Sequence, residues 1–145
     1  MNSYGIDIWG DNNFIIKNGK VCVNSGKKPA IIDMVKELRN DGYRGPLLLR
    51  FPHLIQKQIE NIYGNFTKAR KEFDYKGGFN AVYPLKVNQY PGFVKNLVKL
   101  GKDYNYGLEA GSKAELLLAM AYNNENSPIT VNGFKDRELI NIGFI

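Results

Sequence analysis

Lys86, Glu109 and Asn132 are spaced evenly, with 23 residues from the first to the second and 23 from the second to the third. Each closes a short apolar run. The lysine lies in Phe79-Asn80-Ala81-Val82-Tyr83-Pro84-Leu85-Lys86-Val87-Asn88-Gln89, bounded by Gly77-Gly78 before and Asn88-Gln89 at its end. Such a run fits a buried strand of a parallel sheet. Ligands collect at the carboxyl ends of parallel strands in barrels and open sheets. A lysine delivered there, partly desolvated by Tyr83, Leu85 and Val87, can serve as a nucleophilic amine. A strand-end lysine can equally snorkel to water with no chemical role, and spacing alone does not separate the two.

The elements that would position these residues change character along the chain. Residues 4–9, 14–17 and 21–24 read as three short extended pieces, with Asn18-Gly19 a two-residue hairpin signal, so a small meander is expected over residues 4–24. Ile31, Met34, Val35 and Leu38 follow helical spacing until Asp41-Gly42. Residues 46–51 are apolar and short, a further predicted strand, and Pro52 suits the first position of a helix. From there Ile55, Ile59, Ile62, Phe66, Ala69 and Phe73 step by threes and fours, predicting a helix over about residues 54–73.

After residue 78 strand and helix alternate. Residues 81–87, 106–110 and 129–131 read as strands. Helices are predicted over 93–100, from Ser112 to 122, and from 136 to 144. Ser112 and Glu115 form a capping box, with Ser at the N-cap and Glu three residues on. The fold class is α/β, with residues 1–78 an opening region of strands and helices and residues 79–145 three βα units of a parallel sheet or barrel. Equal spacing would set Lys86, Glu109 and Asn132 at one level on one rim. A closed barrel needs eight such units and about 250 residues, and the run 139–145 is apolar with no helix-stop signal. On that count the chain reads as cut short.

Composition narrows the function classes. At 43% hydrophobic and 23% charged residues the chain is that of a globular domain. No apolar run reaches 18 residues, so no membrane partner is expected, and the first residues carry no secretory signal. Cys22 is the only cysteine, which points to a reducing cytoplasm. The net charge of +6 raises nucleic acid as a partner. Residues 1–85 hold 13 Lys or Arg against 8 Asp or Glu, and residues 86–145 hold 7 against 6. The excess is scattered, with no basic stripe interleaved with aromatics, so a solvated basic surface is the reading and no nucleic-acid partner is expected. No metal-ligand spacing is present.

Tyr83-Pro84-Leu85-Lys86-Val87-Asn88-Gln89 resembles the lysine segment of the biosynthetic arginine decarboxylases, pyridoxal-phosphate enzymes on the barrel shared with alanine racemase and ornithine decarboxylase. The segments 107–116, Gly-Leu-Glu-Ala-Gly-Ser-Lys-Ala-Glu-Leu, and 131–138, Val-Asn-Gly-Phe-Lys-Asp-Arg-Glu, are similar too. Residues 4–10 and Phe51-Pro52 look like the start of that family. The similarity runs from about residue 4 to 145 and covers the first quarter or so of a family member.

The resemblance implies a (β/α)8 barrel of which this chain supplies the first units. It implies pyridoxal 5'-phosphate held by Lys86 as a Schiff base, and decarboxylation of L-arginine to agmatine and CO2 on the route to polyamines such as spermidine. It places Glu109 beside the cofactor, where it could orient Lys86 or the ring. Mg2+ as a further cofactor, a homo-oligomeric whole enzyme and dependence on the remainder of the polypeptide are implied as well. The glycine-rich phosphate loop, the acidic partner of the pyridine nitrogen, the ring-stacking histidine and the substrate-specifying residues are expected outside this chain, so residues 1–145 alone are expected to be inactive.

Two other readings stand beside it: a decarboxylase of ornithine, lysine or diaminopimelate on the same barrel, and a non-catalytic barrel-like binding protein, against which Lys86 weighs. Glu109 could instead pair with Lys113 or Lys135. The Asn132–Arg137 stretch, numbered 132–137, receives no chemical role. His53, directly after Pro52, reads as a first-turn helix residue, and Cys22 as a packed side chain.

Overall fold

A computed structural model describes residues 3–144, and expectations touching residues 1, 2 and 145 lie outside them. The chain divides into two compact units, Met1–Arg50 and Phe51–Ile145.

The first unit opens with a 3-10 turn, Ser3–Gly5, and a single helical turn α1, Ile6–Trp9. The predicted strand over residues 4–9 does not form. Tyr4 takes a left-handed φ of 67°, which an extended run cannot contain, and the Trp9 indole donates to the Tyr4 carbonyl at 2.8 Å, folding the segment back. The hairpin does form, from β1 (Phe14–Lys17) and β2 (Lys20–Val23), antiparallel with Phe14 opposite Val23. Asn18 and Gly19, at φ 51° and 70°, supply the two left-handed residues of its turn. Cys22 is buried in β2, as expected of a packed side chain. Helix α2, Ile31–Asn40, follows, joined to the hairpin by Lys20 and Asp33 at 2.9 Å. Residues 46–51 form no strand. Among the described residues no strand pairs with them, and Leu48 is left 73% exposed.

In the second unit helix α3, His53–Glu72, is followed by β3 (Val82–Pro84), a 3-10 turn Leu85–Val87, α4 (Pro91–Gly101), β4 (Gly107–Ala110), α5 (Lys113–Tyr122), β5 (Ile129–Val131) and α6 (Arg137–Gly143). The three strands form one parallel sheet in the order β3-β4-β5, so consecutive βα units lie side by side as predicted. One face of the sheet is the core. Leu108 and Ala110 of β4 are fully buried with Val94 and Leu97 of α4, Leu116 and Ala119 of α5 and Leu139 of α6. Leu85, just past β3, is fully buried too. Each such leucine withdraws enough apolar surface from water to contribute about 1.5–3 kcal/mol.

The stripe predicted along α3 is buried only in its first half, although Phe66 further along stacks on Phe79 at 3.9 Å. Ile59 is buried, while Phe66 and Phe73 remain exposed. The helix turns Tyr63 to the core as well: its hydroxyl accepts from the Ala81 N–H at 3.1 Å and its ring meets Tyr104 at 4.9 Å. His53 stands in the first turn of the helix, exposed, with its ring edge-on to Phe51.

Gly107 sits where β4 passes the start of β5. A β-carbon there would come within 1.9 Å of the Pro128 carbonyl oxygen, which accepts from the Leu108 N–H. Gly107→Ala must push the two strands apart, with an expected loss of about 1–3 kcal/mol. Thermal unfolding checks this; an unchanged Tm would mean that β5 can shift freely.

Candidate functional site

The carboxyl ends of the three strands form one rim, and the register fixes what lies at each height. Pro84, Glu109 and Thr130 are paired neighbours across β3, β4 and β5. Lys86 follows Pro84 by two residues and Asn132 follows Thr130 by two. The equal spacing of 23 therefore does not put Lys86, Glu109 and Asn132 at one level. The true offsets are 25 residues between β3 and β4, Pro84 to Glu109, and 21 between β4 and β5, Glu109 to Thr130. Lys86 and Asn132 overhang the strand ends, whereas Glu109 lies inside β4. A strand residue alternates faces with its neighbours, so Glu109 turns away from the core face that takes Leu108 and Ala110.

Glu109 is only 8% exposed, and its Oε1 is buried without a hydrogen-bond partner among the described residues. A buried carboxylate oxygen left unpaired is costly and calls for a partner. Neither alternative cation takes it. Lys113 pairs with Asp136 and Glu138, and Lys135 donates to the Gly133 carbonyl at 3.2 Å. Lys86 is exposed, in the 3-10 turn that follows β3. The expected strand over residues 81–87 is thus shorter, and the expected desolvation is absent, since Val87 beside it is 69% exposed. Burial raises the titration of the Tyr83 phenol, and that of Tyr106, where Tyr63 and Tyr83 add to it. Both stay protonated at neutral pH.

The 111–115 and 132–138 segments lock the rim. The Asn132 N–H donates to the Ala110 carbonyl at 2.8 Å, and Gly133, at φ 77°, passes so near that a β-carbon would sit 2.5 Å from the Gly111 oxygen. Ser112 caps α5 as predicted, its hydroxyl accepting from the Glu115 N–H at 3.2 Å. The Glu115 carboxylate departs from the capping-box pattern. Its Oε2 accepts from the Gly111 N–H at 2.7 Å and its Oε1 from the Gln89 amide at 2.8 Å. Sequence reasoning read Glu115 as a cap only; its separation of 26 residues from Gln89 carries no local signal. Asp136 caps α6, accepting from the Leu139 N–H at 2.8 Å, and also meets Lys113 at 2.9 Å. Among the described residues no group of three or more His, Cys, Asp or Glu side chains could hold a metal ion, and no helix is long and apolar enough to cross a membrane.

No family model matches the chain. It is 36% identical over 148 residues to the biosynthetic arginine decarboxylase of Prochlorococcus marinus strain AS9601, which takes in 98% of this chain and 23% of that protein. It is 38% identical to the corresponding protein of Tolumonas auensis, across 97% of this chain and again 23% of the relative. The crystal structure of the biosynthetic arginine decarboxylase SpeA from Campylobacter jejuni matches with a TM-score of 0.95 and 90% identity, over 99% of this chain and 24% of that one. The chain thus spans about a quarter of the length of the proteins it matches.

The cluster on α6 has a pH signature. The Leu139 N–H, then Lys113, hold the Asp136 carboxyl below the usual carboxylate range, and Glu138, then Asp136, hold Lys113 above its usual value. A carboxylate lowered on folding contributes stability above its unfolded titration and loses it as pH falls through the lowered value. The raised lysine contributes below its ordinary range and loses that only at strongly alkaline pH. Asp136→Ala is expected to lower the unfolding midpoint at neutral pH, by a modest amount because the pair is partly exposed. The deficit should shrink as the medium is acidified through the carboxylate range, and denaturant unfolding across pH measures it. A deficit independent of pH would leave only the lost cap.

Proposed function

With the chain matching biosynthetic arginine decarboxylases along nearly all of its length, we infer that it is the lysine-bearing part of an enzyme that converts L-arginine to agmatine and CO2 with pyridoxal 5'-phosphate. The observation that carries this is the 90% identity to the Campylobacter jejuni decarboxylase over 99% of this chain, a stretch that includes Lys86, Glu109 and the rim between them. Agmatine is a polyamine precursor, so polyamine formation is the setting, and the single, buried Cys22 fits a reducing cytoplasm.

The residues present fit part of such a cofactor's needs. Lys86 offers an exposed primary amine at the end of β3, suited to bind an aldehyde carbon. Glu109 offers a buried carboxylate oxygen that lacks a partner, one strand over. When bound, pyridoxal phosphate supplies the electron sink for the carbon that loses CO2. The chain's own part is to hold and to shuttle. Lys86 Nζ would hold the cofactor, and when free its amine would be placed to carry a proton. Glu109 Oε1 is placed to accept a hydrogen bond from a cationic partner and so to orient it. The described carboxylates form no group of three or more suited to Mg2+.

In the full-length protein, borohydride treatment followed by peptide mapping should place the reduced cofactor on Lys86. Label on another lysine, with Lys86 bare, would sink the assignment. Lys86→Ala should abolish turnover while leaving Tm within a few degrees, because an exposed side chain contributes little packing. Glu109→Gln should keep the label on Lys86 yet lower kcat about tenfold or more, as expected when a positioned proton-handling or charge-orienting group is neutralised. Wild-type turnover in that variant would remove Glu109 from the site.

A further inference from the structure

We propose that Glu115 is a positioning residue for Lys86, acting through Gln89; this rests on the decarboxylase reading above and deepens it. Lys86 lies between two anchors. Leu85 on its amino side is fully buried in the core. Gln89 on its carboxyl side reaches across to α5, where its amide donates to Glu115 Oε1 at 2.8 Å. The other oxygen of the same carboxylate takes the Gly111 N–H at 2.7 Å, at the end of β4. One side chain thus fastens the lysine turn of β3 to the loop of β4. Glu115 can do this because its own helix is fixed. Ser112 caps the first turn, and the next residue, Leu116, is buried in the core. Asn88 adds a local brace, its Oδ1 accepting from the Tyr90 N–H at 3.0 Å where α4 begins.

With the Gln89 anchor released, the turn is free to pivot about Leu85, and the Lys86 amine moves with it. A displacement of about 1 Å in a reacting group can cost up to a hundredfold in rate. The Gln89–Glu115 bond is exposed, so its effect on overall stability should be small. A large effect on kcat beside a small effect on Tm is therefore the mark of positioning.

The experiment uses the full-length protein with L-arginine, reading kcat, KM, Tm and the absorbance band of the lysine-bound cofactor across pH. Glu115→Ala and Gln89→Ala should each lower kcat about tenfold with KM less affected, and should shift the pH dependence of that band. The double variant should be no worse than the more damaged single, since both changes break one link. Gln89→Glu sets two carboxylates face to face and should also lose turnover. Exchange of the pair, Gln89→Glu with Glu115→Gln, restores a donor opposite an acceptor and keeps an oxygen for the Gly111 N–H, so kcat should return to within about twofold of wild type. Independent, multiplying losses, an unaltered kcat in Glu115→Ala, or no recovery in the exchanged pair would overturn the proposal. If Glu115→Ala does not fold, Gln89→Ala and the exchanged pair decide. A wild-type protein without arginine turnover or a Lys86 label would instead sink the decarboxylase reading, so the two failures are distinct.

Discussion

Strand β4 is hydrogen-bonded on both edges because Gly107 leaves room for the Pro128 carbonyl, and the rest of the second unit follows from that double pairing. Being central, β4 has no edge exposed to water, and all four of its residues are buried. Its core face sets Leu108 and Ala110 against α4 and α5. Its other face must then carry Glu109, a residue that a central strand would not otherwise hold. The burial of a carboxylate oxygen with no partner among the described residues thus follows from the pairing, and it is what directs attention to chemistry.

Much of this was legible in the chain, for physical reasons that can be named. The hairpin was readable because Asn18-Gly19 admits two left-handed residues in succession. The second half was readable because apolar runs of strand length alternate with helical spacing, and because Ser112 announces the helix it caps. Residues 4–9 and 46–51 misled because strand formation depends on a partner. A short apolar run states only that it can be extended, and neither run finds a ladder. The stripe on α3 marked the helix correctly but not the extent of its burial, since only the part that meets a neighbouring element such as α4 loses water.

The heights of the three candidate rim residues were misjudged. Counting 23 residues between strand ends treats βα units as identical, yet the β3-to-β4 and β4-to-β5 offsets differ by four residues. Register is set by backbone pairing and close approach, here at Gly107 and Gly133, and neither shows in a count of positions. The bond from Gln89 to Glu115 was invisible for a related reason. A side-chain contact across 26 residues exists only once the sheet has brought two loops to one rim.

Lys86 shows how much a rim of this kind depends on the scaffolding beneath an exposed side chain. Its side chain is exposed and flanked by an exposed valine, and Phe134, after the Gly133 crossing, is 87% exposed. An amine in water has no fixed direction. What direction it has must come from the backbone beneath it, held by Leu85 in the core and by the bond from Gln89 to Glu115 of α5. Val87 and Phe134 leave apolar surface open to water at this rim, so water exclusion there would have to come from something laid over it. Pre-organised backbone below and water exclusion above are separable requirements. In this chain the first rests on the bonds that tie the ends of β3, β4 and β5 together, and a cover cannot replace it.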